Sequence, residues 1–124
     1  MILVDTSVWV DHLRAGNATL TNLLQRDAIL AHPWVVGELA LGNLRQRDEV
    51  IALLMGLPQA TVATTTEILA LIEQEQLYGT GIGYVDAQLL AATRLTGDTA
   101  LWTADRRLVA AAARLGCAFD SAYD

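Results

Sequence analysis

Ile2-Leu3-Val4-Asp5-Thr6-Ser7-Val8-Trp9 sets the architecture. A short apolar and β-branched run at the start reads as a buried strand, because a strand covered on both faces need not alternate. Asp5-Thr6-Ser7 then offers helix-capping side chains, so strand passes into helix at once and Asp5 stands at the strand's C-terminal end. The same grammar returns at Leu101-Trp102-Thr103-Ala104-Asp105, a strand stopped by an acid before an alanine-rich helix over residues 108–115 that ends at Gly116.

The intervening chain fills in the alternation. Asn17 caps a helix to residue 26, residues 28–31 form a strand turned by His32-Pro33, and residues 34–44 return to helix. In that helix Val35, Leu39 and Gly42 share a stripe, and Glu38 lies close to it, one turn from Trp34 and Gly42. Residues 48–57 continue as helix, and residues 60–63 as a strand carrying Thr61-Val62. Thr64-Thr65-Thr66-Glu67 is a capping box opening a helix to residue 77. After the break Gly79-Thr80-Gly81-Ile82-Gly83, a helix over residues 84–95 carries Asp86 in its first turn, where the helix dipole favours an anion. Residues 117–119 make a last strand, and residues 120–124 are expected to fray. Strands alternating with helices predict an α/β domain with a central, mostly parallel β-sheet covered on both faces, and ligands bind at the C-terminal strand ends of such sheets. Asp5 and Asp105 both occupy that edge.

A chain of 124 residues, 53% hydrophobic and 18% charged, is the size of one packed domain, so residues 1–124 are expected to form a single unit. It holds no apolar run of the roughly 18 residues a membrane span needs, nor the basic start of a signal peptide, so a cytoplasmic protein is expected. Cys117 is the only cysteine, which excludes an internal disulfide and a thiolate metal site; a small buried apolar role is expected for it. His12 and His32 lack the spacing of a zinc pair and read as structural.

Asp5, Glu38, Asp86 and Asp105 are the candidate chemistry. Each alone also fits a structural role: Asp5 a cap, Asp86 a first-turn charge, Asp105 a turn before a helix, Glu38 an exposed helical glutamate. Together they are costly to assemble without cations, because like charges repel strongly in low dielectric. Magnesium resolves the conflict, since it takes oxygen ligands, keeps several waters and needs only a few carboxylates beside a substrate phosphate. The formal charge of -6 opposes binding of a polyanion, but two dications on the four acids would leave about -2.

These residues carry a resemblance. Ile-Leu-Val-Asp5-Thr6-Ser7-Val8-Trp9, Val36-Gly37-Glu38-Leu39, Gly81-Ile82-Gly83-Tyr84-Val85-Asp86-Ala87-Gln88-Leu89-Leu90-Ala91 and Leu101-Trp102-Thr103-Ala104-Asp105-Arg106-Arg107-Leu108 together resemble a PIN domain, most closely the VapC toxins of bacterial VapBC toxin-antitoxin pairs. The likeness spans essentially the whole chain in order. It implies a PIN-like αβα sandwich, a magnesium- or manganese-dependent endoribonuclease acting on tRNA, rRNA or mRNA, homodimerisation, and inhibition by a cognate VapB-type antitoxin. It also implies that Asp5, Asp86 and Asp105 ligate the metal, that Glu38 ligates it or orients the attacking water, and that Ser7 and Thr103 support the site. Gln88 departs from the family's frequent histidine after Asp-Ala, a change that a carboxylate site tolerates.

Phosphotransfer proteins also place an aspartate after their first strand, but they set a lysine against the phosphoryl group, and all eight basic residues here are arginines. The dehalogenase-like pattern further requires an aspartate where Ser7 stands. A catalytically silent PIN-like module that binds RNA or protein is the remaining alternative, and the presence of all four acids argues against it. Arg106 and Arg107, just after Asp105, could meet RNA phosphate or an antitoxin carboxylate.

Overall fold

The computed structural model describes residues 1–120, so the expected fraying of residues 121–124 lies outside the described residues. β1 (Ile2–Val4) runs between β2 (Ile29–Leu30) and β3 (Ala100–Trp102), all parallel, in the order β2-β1-β3. Leu3 and Val4 point to opposite faces of the sheet, yet neither touches solvent, so both faces are covered. The cover consists of α1 (Thr6–Ala15), α2 (Ala18–Gln25), α3 (Pro33–Ala40), α4 (Arg47–Gly56), α5 (Thr65–Gln74), α6 (Tyr84–Thr96) and α7 (Arg106–Arg114). Every residue from Ala87 to Thr93 of α6 is buried, and its small alanines let this helix approach the sheet closely. Among the described residues no helix is long and apolar enough to cross a membrane.

The helix starts follow the capping chemistry. Asn17 accepts from the Leu20 N–H at 3.0 Å, and Thr64 and Glu67 close their reciprocal box at 3.2 and 2.9 Å. Both histidines are structural too: His12 Nδ1 accepts from the Asn17 N–H, and the fully buried His32 caps α3 through the Trp34 N–H at 3.1 Å. With Nδ1 accepting, the His32 proton sits on Nε2, and burial pushes this ring's pKa down, so it stays neutral. Trp9 is core, Trp102 packs on Phe119, and Trp34 stays partly exposed against Tyr84.

Four expectations need correction. No strand forms over residues 60–63: a single bridge joins Ala31 to Gln59 just before them, and the chain then turns away to cap α5 at Thr64. The strand over residues 117–119 is likewise one bridge, Leu101 to Ala118. The helix over residues 34–44 stops at Ala40, whose carbonyl accepts from the Arg47 guanidinium at 2.9 and 3.2 Å, a cap supplied from seven residues downstream. Cys117, expected buried, is half-buried.

The strand order positions the site. The chain moves from β1 to β2 on one side and later returns to β3 on the other, so the direction reverses between β1 and β3. A crevice opens above the C-terminal strand ends at such a switch point. Asp5 and Asp105 follow those two ends.

Candidate active site

Asp5 is held from three directions. Its Oδ1 accepts from the Thr6 N–H at 2.7 Å, while Oδ2 accepts from the Ser7 hydroxyl at 2.8 Å and the Thr103 hydroxyl at 2.7 Å. Those hydroxyls also accept, Ser7 from the Ala104 N–H and Thr103 from the Asp105 N–H, so the turn after β3 is tied to the turn after β1. The register makes this possible: Val4 pairs with Trp102, and the Asp5 N–H donates to the Trp102 carbonyl at 2.9 Å. Asp105 in turn caps α7, accepting from the Arg107 and Leu108 N–H groups at 2.9 and 3.2 Å; both bonds fall on Oδ1.

The other two acids approach from helices. Asp86 reaches back to the Gly83 N–H at 3.1 Å, half of a capping box whose other half a glycine cannot supply. Glu38 is exposed on α3, and its Oε1 accepts from the Thr6 hydroxyl at 2.7 Å across the crevice. Burial pushes the Asp86 carboxyl pKa up, against the opposing Gly83 bond, and the negative charges of Asp5, Asp105 and Glu38 push it further. Asp86 therefore lies within electrostatic reach of the other three acids. The ion pairs among the described residues, Arg14 with Asp11, Arg47 with Asp48 and Arg94 with Glu75, involve none of them.

An excess of mutually repelling carboxylates with no basic side chain paired to them is a donor set suited to a hard divalent cation. Among the described residues no three acidic, histidine or cysteine side chains already form a closed ligand group. A cation that retains waters requires only one or two carboxylates directly. The donor chemistry of these residues fits a divalent cation.

A family comparison decides what kind of domain this is: the family described as PIN domain matches residues 2–114. The chain belongs to the PIN domain family. This PIN domain is 52% identical over 118 residues to Ribonuclease VapC32 of Mycobacterium tuberculosis, in strains CDC 1551 / Oshkosh and ATCC 25618 / H37Rv, covering 95% of each chain. Its fold is similar to the crystal structure of FitAcB from Neisseria gonorrhoeae, with a TM-score of 0.64, 20% identity and full coverage of both chains.

Within this PIN domain the sequence reading named Ser7 and Thr103 but passed over Thr6, the hydroxyl that joins Glu38 to the first turn of α1. The adjacent hydroxyls of Asp5-Thr6-Ser7 were the available signal. Gln88 is buried with its Oε1 unpartnered, an unsatisfied acceptor in the helix that carries Asp86. Thr103 tests whether these hydroxyls matter. Thr103→Val keeps the shape but strips Asp5 of a donor and the Asp105 N–H of its acceptor. We expect a loss of about 1–3 kcal/mol in denaturant unfolding, as for other buried polar groups left unpaired. Cleavage should fall by roughly 10–100-fold, the usual cost of losing a hydrogen-bond partner that orients a site carboxylate. An unchanged unfolding midpoint would remove Thr103 from the supporting network.

Proposed function

We propose that the chain is a metal-dependent endoribonuclease, the toxin of a toxin-antitoxin pair, in which Asp5, Asp86 and Asp105 ligate magnesium and Glu38 ligates it or orients the attacking water. The observation carrying this reading is the convergence of four unneutralised carboxylates at the switch point, where Asp86 feels the charge of the other three. Manganese suits the same oxygen donors. The relatives named Ribonuclease VapC32 support RNA as the substrate class. We read residues 1–124 as one domain working in the cytoplasm.

When bound, the ion makes a water acidic enough to attack at neutral pH and offsets phosphate charge. The protein's own contribution is placement. Ser7, Thr103 and the Thr6 N–H fix both oxygens of Asp5, the α7 cap fixes Asp105, and Gly83 orients Asp86. Glu38, held only by the Thr6 hydroxyl, stands where an accepting carboxylate can align a water. The water oxygen bonds to phosphorus as the bond to the 3'-oxygen breaks and that oxygen takes up a proton. The products carry a 5'-phosphate and a 3'-hydroxyl.

Homodimerisation, and capture by a cognate VapB-type antitoxin, draw support from apolar side chains left in solvent: Leu53 and Met55 on α4, Leu69 on α5 and Leu95 on α6. Sedimentation at the mass of one 13.4 kDa chain at micromolar concentration would count against the dimer. The biological role is tested by induced expression in bacteria. Growth should stop with tRNA, rRNA or mRNA fragmented, and co-expression of the antitoxin should restore growth; normal growth with intact RNA contradicts the role.

A further inference from the structure

Beside the carboxylates lies a second feature of opposite sign. A groove of about 350 Å³ runs between α7 and the glycine-rich loop before α6, lined by Thr80, Arg106, Arg107, Ala110, Ala111 and Arg114. Three of the chain's eight basic residues meet there, and no acidic side chain lines it. In a chain of net charge -6 this is a local reversal. Arg107 and Arg114, seven positions apart, share a face of α7, Arg106 stands beside Arg107 in the first turn, and the small Ala110 and Ala111 complete the lining.

Their bonds divide them into wall and contact. Arg114 donates to the Glu75 carbonyl at 2.6 Å, capping the end of α5, and so anchors one wall. Arg107 makes only a long bond, 3.4 Å, to the Gly81 carbonyl. It lies flat over Gly81, where φ is +88° and an added Cβ would stand 3.0 Å from the Arg107 side chain. Arg106 and Arg107 are both exposed. The groove residues adjoin the acids along the chain: Asp105 immediately precedes Arg106, and Gly83, three residues after Thr80, donates to Asp86.

We propose that this groove holds the backbone phosphates of the RNA strand flanking the scissile bond, with Arg106 and Arg107 as the contacting, strand-positioning residues. The inference rests on the nuclease reading above and deepens it. A guanidinium that can exchange a weak carbonyl bond for a phosphate oxygen gains a charge-assisted bond. Repulsion of the polyanion by the net charge is then relieved on one side of the carboxylates.

The test uses full-length Asp5→Asn protein with magnesium, so that the strand is not consumed, and fluorescein-labelled polyuridylic acid across a range of potassium chloride. Each phosphate contact contributes about 0.7 to the slope of log affinity against log salt for a single strand. Arg106→Gln with Arg107→Gln should lower that slope by about 1.4, while the double lysine variant, which keeps the charge, should retain it. Arg26→Gln, at the C-terminal end of α2 and outside the groove, serves as the control. An undiminished slope in the glutamine variant, with wild type still cleaving total RNA, overturns the groove and leaves the nuclease reading standing. A glutamine variant that binds RNA normally but loses the antitoxin overturns it as well, by assigning the groove to an acidic peptide. Wild type that leaves RNA intact overturns the nuclease reading, and the groove with it.

Discussion

Asp5→Asn should lower RNA cleavage by at least about a thousandfold, on the order of 4 kcal/mol of barrier, while leaving the protein folded. The fold survives because the neighbours can adapt. An amide oxygen can still accept from the Thr6 N–H, and the amide NH2 can donate to the Ser7 and Thr103 hydroxyls, which rotate to accept. What the variant loses is a negative charge directed at the cation, at the one acid fixed through both oxygens. Circular dichroism and a thermal scan alongside the cleavage assay separate the two effects. A folded variant that cleaves as wild type does would remove Asp5 from the ligand set.

Asp86→Asn is expected to abolish cleavage on a similar scale and yet to stabilise the metal-free protein slightly. Burial and three neighbouring negative charges raise the Asp86 pKa above its ordinary value, so the folded state holds this proton more tightly than the unfolded chain does. Stability of the metal-free protein therefore falls as pH rises from the ordinary carboxylate value through the folded one. Asparagine keeps the Gly83 bond and removes that cost, so the variant should unfold at a slightly higher urea concentration. A purely structural aspartate gives the opposite sign. A first-turn charge favoured by the helix dipole is worth about 0.3–1 kcal/mol, which the variant would lose. Urea unfolding in a chelator, at neutral pH, reads the sign directly; a destabilised Asp86→Asn protein means that the acid serves the helix alone.

These two residues also mark what local sequence carries. Asp5 and Asp105 are legible because a short apolar run followed by a capping acid means strand, then helix, and parallel strands bring such ends to one edge. The caps at Asn17 and Thr64 are legible for the same reason, since their partners lie three residues away. Glu38 is different. What ties it to the site is a hydroxyl 32 positions earlier, and nothing in Val36-Gly37-Glu38-Leu39 encodes that meeting; family resemblance singled it out. The early end of α3 was hidden likewise, because Arg47 caps Ala40 from beyond the helix. Residues 60–63 and 117–119 read as strands because Thr61-Val62 and Cys117-Ala118-Phe119 have strand-like composition, whereas pairing length is set by where the chain must turn next.

The central claim is that four carboxylates at the junction of β1 and β3 form a cation-dependent ribonuclease site. Its most direct test is cleavage of RNA by the wild-type protein after exhaustive chelation and again after magnesium is restored, with the ends of the products identified. Cleavage should vanish on chelation and return with magnesium, leaving 5'-phosphate and 3'-hydroxyl ends. Undiminished cleavage in the chelator, or 2',3'-cyclic phosphate ends formed by the RNA's own hydroxyl, would contradict it.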